Sequence, residues 1–377
     1  MTSALGVAAV ERRPDARAFI ELPYRLYRSD PYWVPPLRVT ERRRWSAKHH
    51  PALTSRAWAR WVARRGARVV GRIAASYDPQ FAERWAPGTG FFGFFECEDD
   101  PAAAAALFDA VHSWLRARGL VIVMGPVNLS THDEVGLLVD GFDSPPTVLS
   151  PYNPPRYERY VNDAGYRKAC DYYAYRWTPD ASVSPSVERL VHAARRRAGA
   201  MARVRVRPAD PRRFDEEART LFELYNAAFA DVWGFVPIAW DDFAARAAEF
   251  KPFYRPELAL IAEVDGRAAG FGLVLPDVNV ALRLVRGRLL PFGWMRLAYA
   301  LPRLRTGRFI LAGVLPEFAS VGLGPLIAHE MHEAGRRCGM RETELSLVQE
   351  DNTRIRRVIE AFGSPRTRTF RLFERRL

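Results

Sequence analysis

The sequence predicts an α/β protein built from two strand–helix–strand units. Three observations carry this. Between Phe309 and Gly363 the chain reads strand, glycine-bearing turn, helix, strand, helix. The N-terminal half reads as an altered copy of the same unit. A chain of 377 residues also exceeds what one core ordinarily organises, so two domains are expected, 1–180 and 181–377.

The C-terminal unit is the more explicit. Phe309 to Leu315 is an apolar run, too short to span a membrane and suited to a buried strand. It stops at Pro316, and Gly322-Leu-Gly324 precedes a helical pattern from Pro325 to Arg337. A glycine turn ahead of a helix leaves backbone N–H groups unpaired at its positive end, which suits a diphosphate. The turn has no Lys and lacks the Gly-Lys-Ser/Thr of nucleotide hydrolases. It also lacks the glycine spacing of a dinucleotide fold. Thr343 to Val348 alternates like a strand, and Glu350-Asp-Asn352 leads into a helix through Ile355, Val358, Ile359 and Phe362.

In the N-terminal half, Trp58 to Ala63 and Arg68 to Ser76 are expected to pair across Arg64-Arg-Gly-Ala67. Gly90 to Glu96 forms the strand before the turn, Pro101 to Arg118 the helix, and Val121 to Met124 the next strand. The turn here is Glu96-Cys-Glu-Asp-Asp-Pro101, whose acids complement a helix dipole but repel a diphosphate. This copy is expected to form a wall for an acceptor. Its polar loop, Gly125 to Gly136, brings together His132, Asp133 and Glu134 as candidate bases, and Asp171 to Tyr175 reads as the domain's last strand.

Cys97, Cys170 and Cys338 are far apart and show no metal-ligand spacing, and no metal is expected. His329-Glu-Met-His332 places its histidines three apart, unlike a zinc protease motif, and is expected on a helix surface. Met1 to Val10 has no leading basic region and does not fit a signal peptide. The cysteines and the absence of a long apolar run suit a cytoplasmic protein.

The net charge of +13 is nearly all arginine, since only Lys48, Lys168 and Lys251 are lysines. Ala281 to Phe309 holds seven Arg and no acid, interleaved with Leu289, Leu290, Phe292, Trp294, Met295, Leu297, Tyr299 and Leu301. Such a segment suits an anionic membrane surface, at roughly 1 kcal/mol per basic residue. It also fits an internal lid, or a track for RNA. An insertion this long between two strands is expected to be functional, and peripheral attachment to the inner membrane follows from the first reading.

The turn resembles the acyl-CoA loop of the GNAT acyltransferases, Val-x-Pro-x-x-Arg/Gln-x-x-Gly-x-Gly/Ala. Val314, Pro316, Gly322 and Gly324 sit at the matching spacings, with Ala319 at the Arg/Gln position. The resemblance implies two tandem GNAT-like domains, each a mixed central sheet flanked by helices. It implies acyl-CoA as co-substrate, held by Val314, Leu315, Ala319, Ser320, Val321, Gly322, Leu323 and Gly324, with Asn352 near the pantetheine arm. Longer matches, among them Phe91 to Asp99, Gly136 to Pro146, Tyr152-Asn-Pro-Pro155 and Glu350-Asp-Asn352, resemble the bacterial ceramide synthase-like family of tandem GNAT proteins. That resemblance implies acylation of a lipidic amine, a sphingoid base, to give a ceramide or dihydroceramide. Where the family's pattern flanks the acidic pair with Asn and Cys, this chain has His132 and Val135.

N-acylation requires a base for the ammonium, a donor to the thioester carbonyl and an acid for the departing thiolate. The base candidates are Glu134, then His132 or Asp133, then Glu350; backbone near Ala312 to Val314 serves the carbonyl. Many GNAT enzymes place a Tyr acid where this chain has Ile359, which leaves Tyr152 as the candidate. The acceptor is expected to enter between the domains, under the insertion. The competing readings are an acetyltransferase or acyltransferase acting on another amine, a tRNA-dependent aminoacyl transferase, and a non-catalytic acyl-CoA or lipid sensor. The retained acyl-CoA loop argues against the tRNA reading, and no nucleic-acid partner is expected.

Overall fold

The computed structural model describes residues 3–46, 49–50, 52–181, 184–201 and 203–377. Its strands are β1 (Leu5–Ala9), β2 (Ala57–Arg65), β3 (Arg68–Tyr77), β4 (Thr89–Cys97), β5 (Ile122–Gly125) and β6 (Leu137–Asp140). They continue with β7 (Arg167–Trp177), β8 (Val204–Pro208), β9 (Ala259–Val264) and β10 (Arg267–Pro276). The last three are β11 (Thr306–Val314), β12 (Glu342–Gln349) and β13 (Arg366–Arg376). The chain divides into two compact units. The first is Met1–Tyr172 with Arg286–Leu289 and Arg368–Leu377, the second Tyr173–Val285 with Leu290–Thr367.

In the first unit the strand order is β1-β2-β3-β4-β5-β13, with β6 also on β13. Strands β1 to β4 are antiparallel neighbours, β4 and β5 are parallel, and β13 returns antiparallel to β5. The parallel step needs a crossover, supplied by the helix Pro101–Arg116. That helix starts where its sequence says it should. The Asp100 carboxylate accepts from Ala103 N at 3.1 Å, and Pro101 occupies the first turn, where its missing N–H costs nothing. Its buried stripe of Leu107, Phe108, Val111 and Leu115 covers β4, every residue of which is buried. Gly71 and Gly90 permit the approach, because a Cβ at either would run into Leu107 or Leu115.

The second unit repeats the plan in the order β12-β11-β10-β9-β8, antiparallel from β8 to β11 and parallel between β11 and β12. Its crossover helix, Leu323–Arg337, buries Leu323, Leu326, Ile327 and Met331. Each buried aliphatic side chain contributes about 1.5–3 kcal/mol. Gly270 and Gly272 let this helix close on β10; a Cβ at Gly272 would stand 3.0 Å from Ile327 and 3.1 Å from Met331. Both units are therefore mixed sheets flanked by helices, as expected.

Two expectations change. His332 does not lie on a helix surface: it is buried, and the Trp177 indole N–H donates to its Nδ1 at 2.9 Å. The helix turns that edge inward because Gly335, one turn on, lets the Trp177 ring sit against it. Arg308 does not belong to the basic surface of the insertion. It is buried on β11, where its Nε donates to Ser346 Oγ at 2.9 Å. Among the described residues no helix is long and apolar enough to cross a membrane.

His112, buried on the first crossover helix with Nε2 3.0 Å from the Tyr166 hydroxyl, generates a pH dependence of stability. Burial first, then the Arg375 and Arg116 charges, push its pKa from 6.5 down to about 4. Above 6.5 the ring is neutral in both states. Between 6.5 and about 4 the unfolded chain takes up a proton that the folded chain refuses, so stability falls across that window. Urea unfolding at several pH values is expected to show this decline, and a smaller one in H112Q.

Candidate functional site

The site of the second unit is a parting of two parallel strands. Strands β11 and β12 pair only from Thr306–Glu342 to Phe309–Leu345; both then run on, β11 to Val314 and β12 to Gln349. The parting coincides with a bulge. Leu273 pairs with Leu311 and Val274 with Phe309, so Ile310 has no partner on β10. A bulge removes one residue from the ladder and re-aims its backbone groups. Ala312, midway along the unpaired part of β11, is exposed. The result is a parting flanked by a strand edge, Ile310 to Val314, that has no β12 partner among the described residues, the kind of edge with which an extended ligand can pair.

At the open end of the parting lies the glycine turn. Leu315 is buried, Pro316–Val321 forms a 3-10 helix, and Gly322 takes φ 89° to start the helix Leu323–Arg337. That positive φ is one that glycine adopts without strain, and a Cβ there would also meet Ala194 at 3.1 Å. No side chain caps the start of this helix. Ala319 and Ser320 are exposed, while Val321 and Leu323 are buried and fix the turn. Gly324 is exposed, and a Cβ there would meet nothing within 4 Å. Glu317 pairs with Arg267 at 3.0 Å, bracing the turn from outside.

On the β12 side, Asn352 caps the next helix, its Oδ1 accepting from Ile355 N at 3.2 Å. Glu350 is half-buried, and its carbonyl accepts from Arg356 Nη1 at 2.7 Å. At the closed end, Arg308, Glu344 and Ser346 form a buried trio that sequence reading did not find. Ser346 Oγ donates to Glu344 Oε1 at 2.7 Å, and Arg308 Nε lies 3.9 Å from that oxygen. The only signal in the sequence was the polar face of β12, Glu344 and Ser346, two residues apart on a strand that pairs in register with Arg308.

The same feature in the first unit is filled by the chain itself. Strands β4 and β5 pair only from Thr89–Ile122 to Phe91–Met124 and then part. The ladder to β3 slips between Arg72 and Ala74, and Phe94 adopts φ 51°. Into this parting runs the segment after β5. Val127 N donates to Phe92 O at 2.7 Å, and Phe94 N donates to Asn128 Oδ1 at 2.8 Å. A Cβ at Gly93 would collide with the Val127 carbonyl, so the fit has no slack. The acids of the turn are also engaged. Glu96 accepts from the Tyr27 and Tyr157 hydroxyls, Glu98 pairs with Arg25 and Arg68, Asp99 accepts from Tyr160, and Asp100 pairs with Arg65.

The candidate bases of the first unit lie on that same loop. Glu134 is clamped: Arg44 donates to it at 2.9 Å and Asn128 Nδ2 at 3.1 Å. Burial pushes its pKa up, but the Arg44 charge with the Asn128 and Arg44 hydrogen bonds outweighs this, and the carboxylate is held below its ordinary range. Asp133 accepts from Ser130 Oγ at 2.7 Å and faces His50 Nε2 at 3.9 Å. His132 is half-buried beside them, its backbone N donating to Ser130 Oγ at 3.3 Å. Tyr152 stands apart from this cluster. Its hydroxyl donates to both Asp30 oxygens, at 2.9 and 3.0 Å, and burial followed by that carboxylate raises its pKa. A hydroxyl so held gives up its proton reluctantly.

Asn128 thus ties the filling segment to the bulge on one side and to Glu134 on the other. N128A is expected to leave the Phe94 N–H without an acceptor and to destabilise the chain by about 1–3 kcal/mol, read from the denaturant midpoint.

A scan against models of protein families finds no match. Among curated proteins, the chain is 35% identical over 371 residues to Protein YghO of Escherichia coli, covering 96% of this chain and 93% of that one. It is 35% identical over 381 residues to the bacterial ceramide synthase of Caulobacter vibrioides, covering 99% and 98%. Among solved structures it resembles a tandem GNAT protein from the clavulanic acid biosynthesis pathway, with TM-score 0.55 and 14% identity over 99% of this chain and 98% of that one. It also resembles a GCN5-related N-acetyltransferase from Sphaerobacter thermophilus, with TM-score 0.53 and 14% identity over 99% and 95%. The two structural likenesses establish the tandem GNAT fold, and the two sequence likenesses, each nearly end to end, establish kinship. The chain belongs to the bacterial ceramide synthase-like family of tandem-GNAT N-acyltransferases.

Proposed function

We propose that this N-acyltransferase takes its acyl group from a long-chain acyl-CoA and delivers it to the amine of a sphingoid-type base. The observation that carries the reading is the open parting of β11 and β12 beside an uncapped helix start, in a chain whose relative is named a ceramide synthase. The diphosphate would sit on the N–H groups from Val321 to Gly324, which a helix start makes an anion site without any lysine. The pantetheine arm would pair with the free edge of β11 between Leu311 and Val314, as an added strand would. The thioester carbonyl would then accept from backbone N–H near the Ile310 bulge, a donor fixed before the reaction starts.

The chemistry is an exchange of one bond for another. The amine, once deprotonated, attacks the carbonyl carbon; the C–N bond forms, the C–S bond breaks, and the thiolate leaves and takes up a proton. For the first proton transfer we assign Glu134, His132, Asp133 and Glu350 as candidates. Glu134 brings a carboxylate kept ionised by Arg44, suited to holding and orienting the ammonium, although the same clamp lowers its strength as a base. Tyr152 is the candidate acid, and Asn352 a candidate contact of the pantetheine arm.

The test is product detection by mass spectrometry with purified protein. Palmitoyl-CoA and acetyl-CoA are each offered with sphinganine and with a panel of small amines. An N-palmitoyl sphinganine product is expected, and G324W is expected to lower its rate at least 100-fold with an unchanged melting temperature, because its side chain enters open space in front of the helix start. Acetylation of a small amine alone would point to an ordinary acetyltransferase. Acyl-CoA binding with no turnover on any amine would point to a sensor.

A further inference from the structure

The segment between β10 and β11 contains two short helices, Asn279–Val285 and Gly293–Ala300. The first buries Ala281 and Val285, whereas the second buries none of its eight residues. A helix normally keeps its apolar stripe against a core. Here the stripe faces out: Phe292 is 66% exposed, Trp294 55%, Met295 51% and Tyr299 66%, with Leu290 at 79% just before them. Val280 and Leu284 of the first helix add to the same exposed set. Apolar exposure this dense is uncommon on a soluble monomer and marks an interaction surface.

The charge around it says what kind. From Val278 to Pro316 the chain contains no Asp and no Glu. Arg283, Arg286, Arg288, Arg296, Arg303 and Arg305 are exposed. Two of them are held at the apolar face. Arg296 Nη1 donates to Leu284 O at 3.2 Å, tying the helices together, and Arg303 lies 3.9 Å over the Tyr299 ring while donating to its carbonyl at 2.8 Å. Tryptophan and tyrosine favour the boundary between headgroups and acyl chains, and guanidinium groups beside them meet lipid phosphates.

We infer that Val280–Arg305 is a membrane-docking surface whose partner is an anionic bilayer, with Leu290, Phe292, Trp294, Met295 and Tyr299 entering the interface and the arginines on the headgroups. An acidic protein partner would need a groove for five large apolar side chains. A fluid bilayer needs none, and it matches both the apolar face and the cations around it. The inference goes beyond the acylation reading and does not require it, since docking needs no acyl donor.

The experiment is co-sedimentation of the full chain, without acyl-CoA, with phosphatidylcholine vesicles and with vesicles containing about 30% phosphatidylglycerol. Binding to the anionic vesicles, weakened by salt, is expected. F292S/W294S/M295S is expected to lower the partition coefficient at least tenfold. R283Q/R286Q/R288Q is expected to lower it by about fivefold for each arginine removed. All six positions are exposed, and circular dichroism melts are expected to match the parent. Equal binding to neutral vesicles, full binding by either variant, or no binding to either vesicle would overturn the inference. So would retention on RNA, or dimerisation through these residues, in place of vesicle binding.

Discussion

Two parallel strands that part halfway along their length create a debt of backbone hydrogen bonds, and the rest of this molecule is arranged around how that debt is met. Buried N–H and C=O groups do not stay unpaired. In the first unit the chain answers for itself, with Pro126 to Asn128 lying in the parting and Asn128 taking the N–H of the Phe94 bulge. In the second unit the corresponding strand edge, Ile310 to Val314, is left open beside a helix start that carries no cap. One copy of the unit has become structural and the other has kept the feature on which the proposed acyl transfer depends.

The polarity of β11 then separates two kinds of chemistry. Its C-terminal end leads into the glycine turn, suited to a diphosphate; its N-terminal end follows the basic, apolar insertion. Nine residues of strand put about 30 Å between those ends. A donor lying along the part of that edge without a β12 partner, with its phosphates at Gly322, would run from Val314 to the Ile310 bulge, where pairing with β12 resumes. The buried Arg308–Glu344–Ser346 trio stands at the closed end of the parting, where the strands are still paired. Removing one member of such a buried pair is far costlier than its surface counterpart, which favours a fixed geometry at that point.

Much of this was legible in the sequence, for local reasons. The run Phe309 to Leu315, the stop at Pro316, the turn at Gly322 and the strand from Thr343 all depend on neighbours in the chain, and each lies where expected. The same holds for the hairpin across Gly66 and for the helix begun by Asp100-Pro101. What the sequence could not show was long-range pairing. Nothing near Glu134 announces Arg44, ninety residues away, as the group that keeps it ionised. Nothing near Asn128 announces Phe94. Arg308 read as one of seven surface arginines because its composition was visible and its register on β11 was not. Likewise His332 looked like a solvent-facing residue until Trp177 was brought against it.

The most direct test of the account is hydrogen–deuterium exchange of the full chain with and without a long-chain acyl-CoA. The account predicts new protection in two stretches of the second unit, Ile310 to Val314 and Val321 to Gly324. It predicts no change in Phe92 to Glu98, where the parting is already filled. Protection of Phe92 to Glu98, or no protection of the β11 edge despite binding, would contradict it.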